Sequence, residues 1–224
     1  MRAMKDEHFA ILRRHMADVI GIHVDLLSED LGKPALDERV MAAMREVPRH
    51  EFVPAPLAPA AYQDMPLPIG FDKTISQPFI VALMSDLLEL RPQDTVLEVG
   101  TGLGYQSAIL ARLAGRVFSV EIVEEFAAEA ETRLKRFGLG NVAIRIGDGS
   151  RGWAEHAPFH KILVAAGAKE IPRPLLEQLR PGGRLVMPLG PAEAQVLSLV
   201  EKRNGGLETR EILPVRFSQL ESGM

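Results

Sequence analysis

Apolar positions fall into two regimes along the chain. From Phe9 to Ser28 they recur at helical spacing, at Ile11, Leu12, Met16, Val19, Ile20 and Val24, until the Gly32-Lys33-Pro34 break stops the pattern. A second helix is predicted from Asp37 to Arg45, with Val40, Met41 and Met44 on one face and Asp37 placed to cap it. Both helices read as core-packing elements. Residues 54–72 then carry Pro54, Pro56, Pro59, Pro66 and Pro68 ahead of Gly70, which argues against a regular element and for a functional loop. Phe79 to Leu90 is strongly apolar and helical in length. Pro78 suits its first turn, with Ser76 close to the cap.

From Thr95 onward short strands alternate with helices. Thr95–Val99 reads as a buried strand, Gly100–Gly104 as a tight loop, Tyr105–Ala114 as a helix and Arg116–Glu121 as the next strand. A helix from Glu124 to Phe137 ends at Gly138, and strands follow at Asn141–Ile146 and Lys161–Ala165. Ile171–Leu179 reads as a helix stopped by Pro181-Gly182-Gly183, ahead of a strand at Arg184–Pro188. Val196–Lys202 and Glu208–Val215 form a closing pair around Asn204-Gly205-Gly206. This alternation implies an α/β, doubly wound, mostly parallel sheet, and the final hairpin suggests an antiparallel edge strand. Residues 1–50 read as an N-terminal helical extension packed on a main domain that spans residues 51–224.

Composition narrows the chemistry. The chain has 46% hydrophobic and 25% charged residues, enough apolar material for a substantial core. Its net charge of −4, with no long basic run, gives nucleic-acid binding no electrostatic footprint. The absence of cysteine excludes disulfides, thiolate zinc sites and a cysteine nucleophile. None of the six histidines has a metal-ligand spacing with neighbouring carboxylates, so no metal is expected. No signal-peptide stretch follows Met1, and no apolar run reaches the roughly 18 residues of a membrane span, so a cytoplasmic protein is expected. A monomer is the favoured oligomeric state.

The strongest chemical signal is Glu98-Val99-Gly100-Thr101-Gly102-Leu103-Gly104, between a predicted strand and a predicted helix. Glycines allow positive φ and a ligand's close approach to the backbone, while the helix behind offers free N–H groups. The spacing is Gly-x-Gly-x-Gly, unlike the Gly-x-Gly-x-x-Gly of dinucleotide binders. Glu121 closes the following strand, where a carboxylate can accept from a ribose diol. Two carboxylates in this cleft also suit a ligand with an ammonium group and a sulfonium centre. Gly147-Asp148-Gly149 ends the third strand, within reach of an adenine edge. Each carboxylate read singly is also compatible with a solvated loop; three at successive strand ends favour a shared site.

The glycine loop resembles the signature of class I methyltransferases. From about Arg39 to Leu220 the chain resembles the protein-L-isoaspartate O-methyltransferase family more specifically. The matching segments include Val47-Pro48-Arg49, Phe52-Val53-Pro54, Tyr62 to Gly70, Thr74-Ile75-Ser76-Gln77-Pro78, Leu97 to Gln106, Gly152-Trp153 and Leu179 to Leu185. The resemblance implies the seven-stranded class I methyltransferase sheet and S-adenosyl-L-methionine as cofactor. It also implies isoaspartyl-containing proteins or peptides as substrates. Ser76 would stand beside the methyl donor and the incoming carboxylate as the catalytic residue. Thr74, Ile75 and Ser76 would cover cofactor and substrate, and Glu98, Gly100, Gly102, Gly104, Glu121, Asp148 and Gly149 would hold the cofactor.

The chain departs from the family pattern before Arg39, at His160 and Ala165, and at Ser218-Gln219-Leu220. An α-carboxylate is ionised at neutral pH, so its methylation needs no general base. The site's task would be to align two reactants and exclude water. Two alternatives remain open at this level. One is a related carboxyl methyltransferase acting on another peptide carboxylate, and the other is a cofactor-binding module without turnover.

Overall fold

A computed structural model describes residues 6–221. Helix α1 (Asp6–Leu26) buries Phe9, Met16, Ala17, Ile20 and Val24 along one stripe. The single turn α2 (Ser28–Leu31) ends at Gly32, whose φ of +69° closes the turn in the left-handed region. Helix α3 (Glu38–Glu46) is capped as expected, with Asp37 Oδ1 accepting from the Arg39 amide at 2.7 Å.

The proline-dense stretch is more regular than its composition suggests. Arg49–Phe52 and Ala55–Ala60 form short 3-10 turns, and β1 (Leu67–Gly70) pairs antiparallel with β2 (Lys73–Ile75). The turn between them passes through Phe71 and Asp72, both at positive φ. Pro68 is tolerated because a two-stranded ladder leaves an edge on each strand. Only Leu67 and Ile69 mark the buried face, too short a period to stand out among five prolines.

Helix α4 (Pro78–Leu87) starts with proline in its first turn, but its cap comes from far away. Asp64 Oδ1 accepts from the Phe79 amide at 2.8 Å, and Asp64 Oδ2 accepts from Gln77 Nε2 at 2.8 Å. The same oxygen lies 2.7 Å from His23 Nδ1 of α1. Asp64 thus fills the capping place that the sequence suggested for Ser76, whose side chain is left free for other use.

Elements then alternate: β3 (Thr95–Val99), α5 (Tyr105–Leu113), β4 (Arg116–Glu121), α6 (Glu124–Arg136), β5 (Val142–Ile146), β6 (Phe159–Val164), α7 (Arg173–Gln178), β7 (Leu179–Leu189), β8 (Gln195–Arg203) and β9 (Gly206–Val215). They form one seven-stranded sheet in the order β5-β4-β3-β6-β7-β8-β9. Strands β3 to β7 are parallel, and the closing hairpin lies at one edge. Within it β8 runs against the rest, one place in from the edge, and β9 returns to the common direction.

Both sheet faces are covered, so the central strands are apolar on each side. Val96, Val117, Leu163 and Val186 join the core beneath α1 and α3 to α6, while Leu97, Phe118, Ile162 and Leu185 join the one beneath α7. Strand order reverses between β3 and β6, whose following loops diverge and leave a crevice at their carboxyl ends. No helix among the described residues is long and apolar enough to cross a membrane.

Candidate active site

The crevice floor is the glycine loop. Gly100, Gly102 and Gly104 adopt φ of 91°, 53° and 94° as the chain turns from β3 into α5. Two of these positions have a steric reason as well as a conformational one. A Cβ on Gly102 would sit 3.4 Å from Ile69 Cδ1, and one on Gly104 would sit 3.2 Å from Ala130 Cβ. Gly149, after β5, is tighter still: a Cβ there would fall 2.3 Å from Val99 Cγ1. These positions keep the crevice bare of side chains.

Glu121 is fixed where β4 ends. Its Oε2 accepts from the Gly102 amide at 2.7 Å, and its Oε1 accepts from the Ile122 and Val123 amides at 2.9 and 3.0 Å. Carboxylate oxygens can each accept more than one hydrogen bond, so this anchored group still has acceptor capacity toward the pocket.

Glu98 has a different environment. It is fully buried behind the loop, where Oε2 accepts from the hydroxyls of Ser107 on α5 and Ser119 on β4, the latter at 2.6 Å. Ser119 also meets Thr101 Oγ1 at 2.6 Å. Oε1 has no hydrogen-bond partner among the described residues. Burial raises the Glu98 pKa to about 7, against the lowering effect of the two hydroxyls and with a further rise from the Glu121 charge.

The pocket wall contains Thr74, Ile75, Ser76, Gly100, Gly102, Glu121 and Gly149 of the residues marked out from sequence. Glu98, Gly104 and Asp148 are not part of it. Gly104 starts α5, and Asp148 caps the turn Gly149–Arg151 by accepting from the Ser150 amide at 2.8 Å. Ile69, Lys73, Tyr105, Gln106 and Phe126 also line the pocket without a site role in the sequence reading, and so does the tail from Phe217 to Glu221, of which Ser218-Gln219-Leu220 stands out in sequence only as a departure from the family pattern. The tail follows β9 without any periodic pattern. It is tied down by Gln195, which donates to Phe217 O at 3.1 Å and accepts from its amide at 2.6 Å. Gly167 accepts from the Leu220 amide at 2.7 Å, and its own amide donates to Ser218 O at 2.9 Å.

Arg49 supports the Ser76 segment from inside. This fully buried guanidinium donates from Nη2 to Ser76 O and from Nε to Ala61 O, both at 2.8 Å, and lies 4.8 Å over the Tyr105 ring. Desolvation lowers its pKa to about 10, leaving it cationic at neutral pH. Nothing in the local sequence separates such an arginine from a surface one.

The walls combine apolar side chains, an anchored carboxylate and an open backbone turn, and no histidine is among the described residues that line them. That set can seat an uncharged ring system, accept from vicinal hydroxyls and tolerate a cation. It provides no histidine base beside Ser76.

Residues 25–224 match the family model for protein-L-isoaspartate(D-aspartate) O-methyltransferase. The chain is 58% identical over 219 residues to protein-L-isoaspartate O-methyltransferase 1 of Polaromonas sp., covering 97% of this chain and 93% of the relative. A solved protein-L-isoaspartate O-methyltransferase superposes with a TM-score of 0.80 at 27% identity, covering 94% of this chain and 66% of the other. A candidate protein-L-isoaspartate O-methyltransferase from Plasmodium falciparum, solved with S-adenosyl-L-homocysteine, gives a TM-score of 0.72 at 25% identity. That superposition covers 84% of this chain and 92% of the other.

Proposed function

Because the chain belongs to the protein-L-isoaspartate(D-aspartate) O-methyltransferase family, we propose that it methylates the free α-carboxylate of L-isoaspartyl residues in damaged proteins and peptides, with S-adenosyl-L-methionine as donor. The observation that carries this reading is the meeting of Thr74-Ile75-Ser76 with the glycine loop and Glu121 around one pocket that has no histidine base. The cofactor, when bound, supplies a methyl group on a sulfonium: the carbon–sulfur electron pair stays on sulfur while a carboxylate lone pair forms the new carbon–oxygen bond.

The chain's own residues fit that group. Gly100, Gly102 and Gly149 leave the space, and Glu121 offers acceptor oxygens to hydroxyls. Glu98, Gly104 and Asp148 hold the surrounding backbone from behind. Ser76 is the catalytic residue in this proposal, its hydroxyl donating to the acceptor carboxylate, with Thr74 and Ile75 excluding water beside it. Positive and negative charge cancel along such a displacement, so alignment matters most and can contribute roughly 7–11 kcal/mol.

As part of the same proposal, residues 1–50 form a helical extension on a catalytic domain of residues 51–224. The packing of α1 against α3 and α4 supports this, and residues 1–5 and 222–224 lie outside the described chain. We also place the enzyme in the cytoplasm as a monomer, and its net charge of −4 favours protein substrates over nucleic acid. The test is methyl transfer to an isoaspartyl peptide and to its normal-aspartyl twin. Transfer to the first alone is expected. Equal rates would point to another carboxylate acceptor, and donor binding without turnover on either would reduce the chain to a binding module.

A further inference from the structure

Among the described residues that line the pocket, Lys73 is the one cation, set against the carboxylates of Glu121 and Glu221. It opens β2, immediately before Thr74-Ile75-Ser76, and its ammonium is paired with the Glu221 carboxylate of the tail. The two partners are unequally held. The Lys73 side chain is 24% exposed and belongs to a hydrogen-bonded hairpin, whereas Glu221 is 53% exposed and lies beyond the last tail tether at Leu220. Both line the pocket, but the cation is held in the hairpin whereas the anion is held only by the end of the tail.

An anionic acceptor approaching this wall meets two carboxylates and a cation already engaged, which is net repulsion. The repulsion disappears if the acceptor takes Glu221's place on Lys73. Resting on the methyl-transfer reading above, we infer that Lys73 binds the acceptor carboxylate, and that Glu221 is an intramolecular stand-in which the substrate displaces. The exchange swaps one carboxylate for another, so it costs little for an ionised acceptor and excludes a neutral one. A side-chain amide cannot replace Glu221. Neither can the methyl ester, so the product loses its ion pair as it forms and the returning tail favours its departure.

The exchange predicts opposite effects from two neutralising substitutions. Lys73→Gln should raise both the KM and the calorimetric Kd for an isoaspartyl peptide by roughly 10- to 100-fold, the range for a charge-assisted hydrogen bond. Affinity for S-adenosyl-L-homocysteine should stay as in the wild type. Glu221→Gln should lower the peptide KM and Kd, the double variant should behave like Lys73→Gln, and Lys73→Arg should keep near-normal peptide affinity. If both single substitutions weaken peptide binding alike, the pair is a tie across the mouth and the exchange is overturned. Unaltered peptide affinity in Lys73→Gln overturns it too. A wild-type chain that methylates neither peptide would refute the functional reading alone, because the opposed shifts in calorimetric peptide affinity would still decide the exchange.

Discussion

Replacing Glu98 by glutamine keeps the side-chain volume and an oxygen for Ser107 and Ser119 to donate to, while removing a titrating group from the core. Burial holds the native carboxyl near pH 7, against an ordinary value of 4.5. Between those values the native protein retains a proton that the unfolded chain has released. The contribution of this group to stability is therefore full below about pH 4.5, is lost as pH rises toward 7, and changes no further above that. At about 1.4 kcal/mol per pH unit, the loss is on the order of 3 kcal/mol. In E98Q the amide nitrogen takes the place of the partnerless Oε1, a cost of about 1–3 kcal/mol that does not vary with pH. Every other titratable group is common to the two proteins. Thermal melting of ligand-free wild type and E98Q, followed by circular dichroism from pH 5 to 8, isolates the difference. About 2.5 kcal/mol of that loss falls between pH 5 and 8, so the wild type should lose roughly 5–10 °C relative to E98Q across that range. Parallel curves of Tm against pH would refute the raised Glu98 pKa.

Three further substitutions test the rest of the site. Gly102→Val places a β-branched side chain at φ 53° with its Cβ 3.4 Å from Ile69, a backbone cost of about 1–2 kcal/mol. It should leave a folded sheet by circular dichroism and abolish calorimetric binding of S-adenosyl-L-homocysteine; normal affinity would remove the loop from the binding role. Ser76→Ala should lower kcat for isoaspartyl peptide more than it weakens donor affinity, and unchanged turnover would exclude Ser76 from catalysis. Arg49→Met leaves the carbonyls of Ser76 and Ala61 without donors, at about 1–3 kcal/mol each. Offset by relief of the guanidinium's desolvation, the net loss should be about 2–4 kcal/mol in denaturant unfolding, with a fall in kcat. Wild-type stability and kcat together would contradict the role given to Arg49.

Sequence patterns reported this site best where its parts are local. The turn from β3 into α5 needs glycines at defined positions, and Glu121 ends a strand adjacent to it, so both stood out. The opposite wall is assembled by contacts that have no period. Arg49 reaches Ser76, Gln195 reaches Phe217, and Lys73 meets Glu221 148 residues further along the chain. The side chains of Arg49, Gln195, Lys73 and Glu221 are polar and, each taken alone, indistinguishable from solvated ones. Hairpin β1–β2 was hidden for a related reason, since prolines that usually exclude a strand are harmless on a two-stranded edge.

Glu98 shows how a residue marked from sequence as a ligand contact can stand behind the pocket wall instead of in it. An acid preceding a glycine loop reads as a ligand contact, and alternation along a strand buried on both faces cannot say which layer its side chain enters. Here it points away from the pocket wall and accepts from α5 and β4 at once. Thr101, Ser119, Glu98 and Ser107 form one buried polar run from the loop to the helix that follows it. A cation in the pocket would favour the ionised form of Glu98, in which Oε2 is the stronger acceptor for both hydroxyls. Loop, strand and helix would then be held most firmly when a positively charged ligand is present. The price of that coupling is the stability lost as pH rises from about 4.5 to 7, a pH dependence that E98Q should remove.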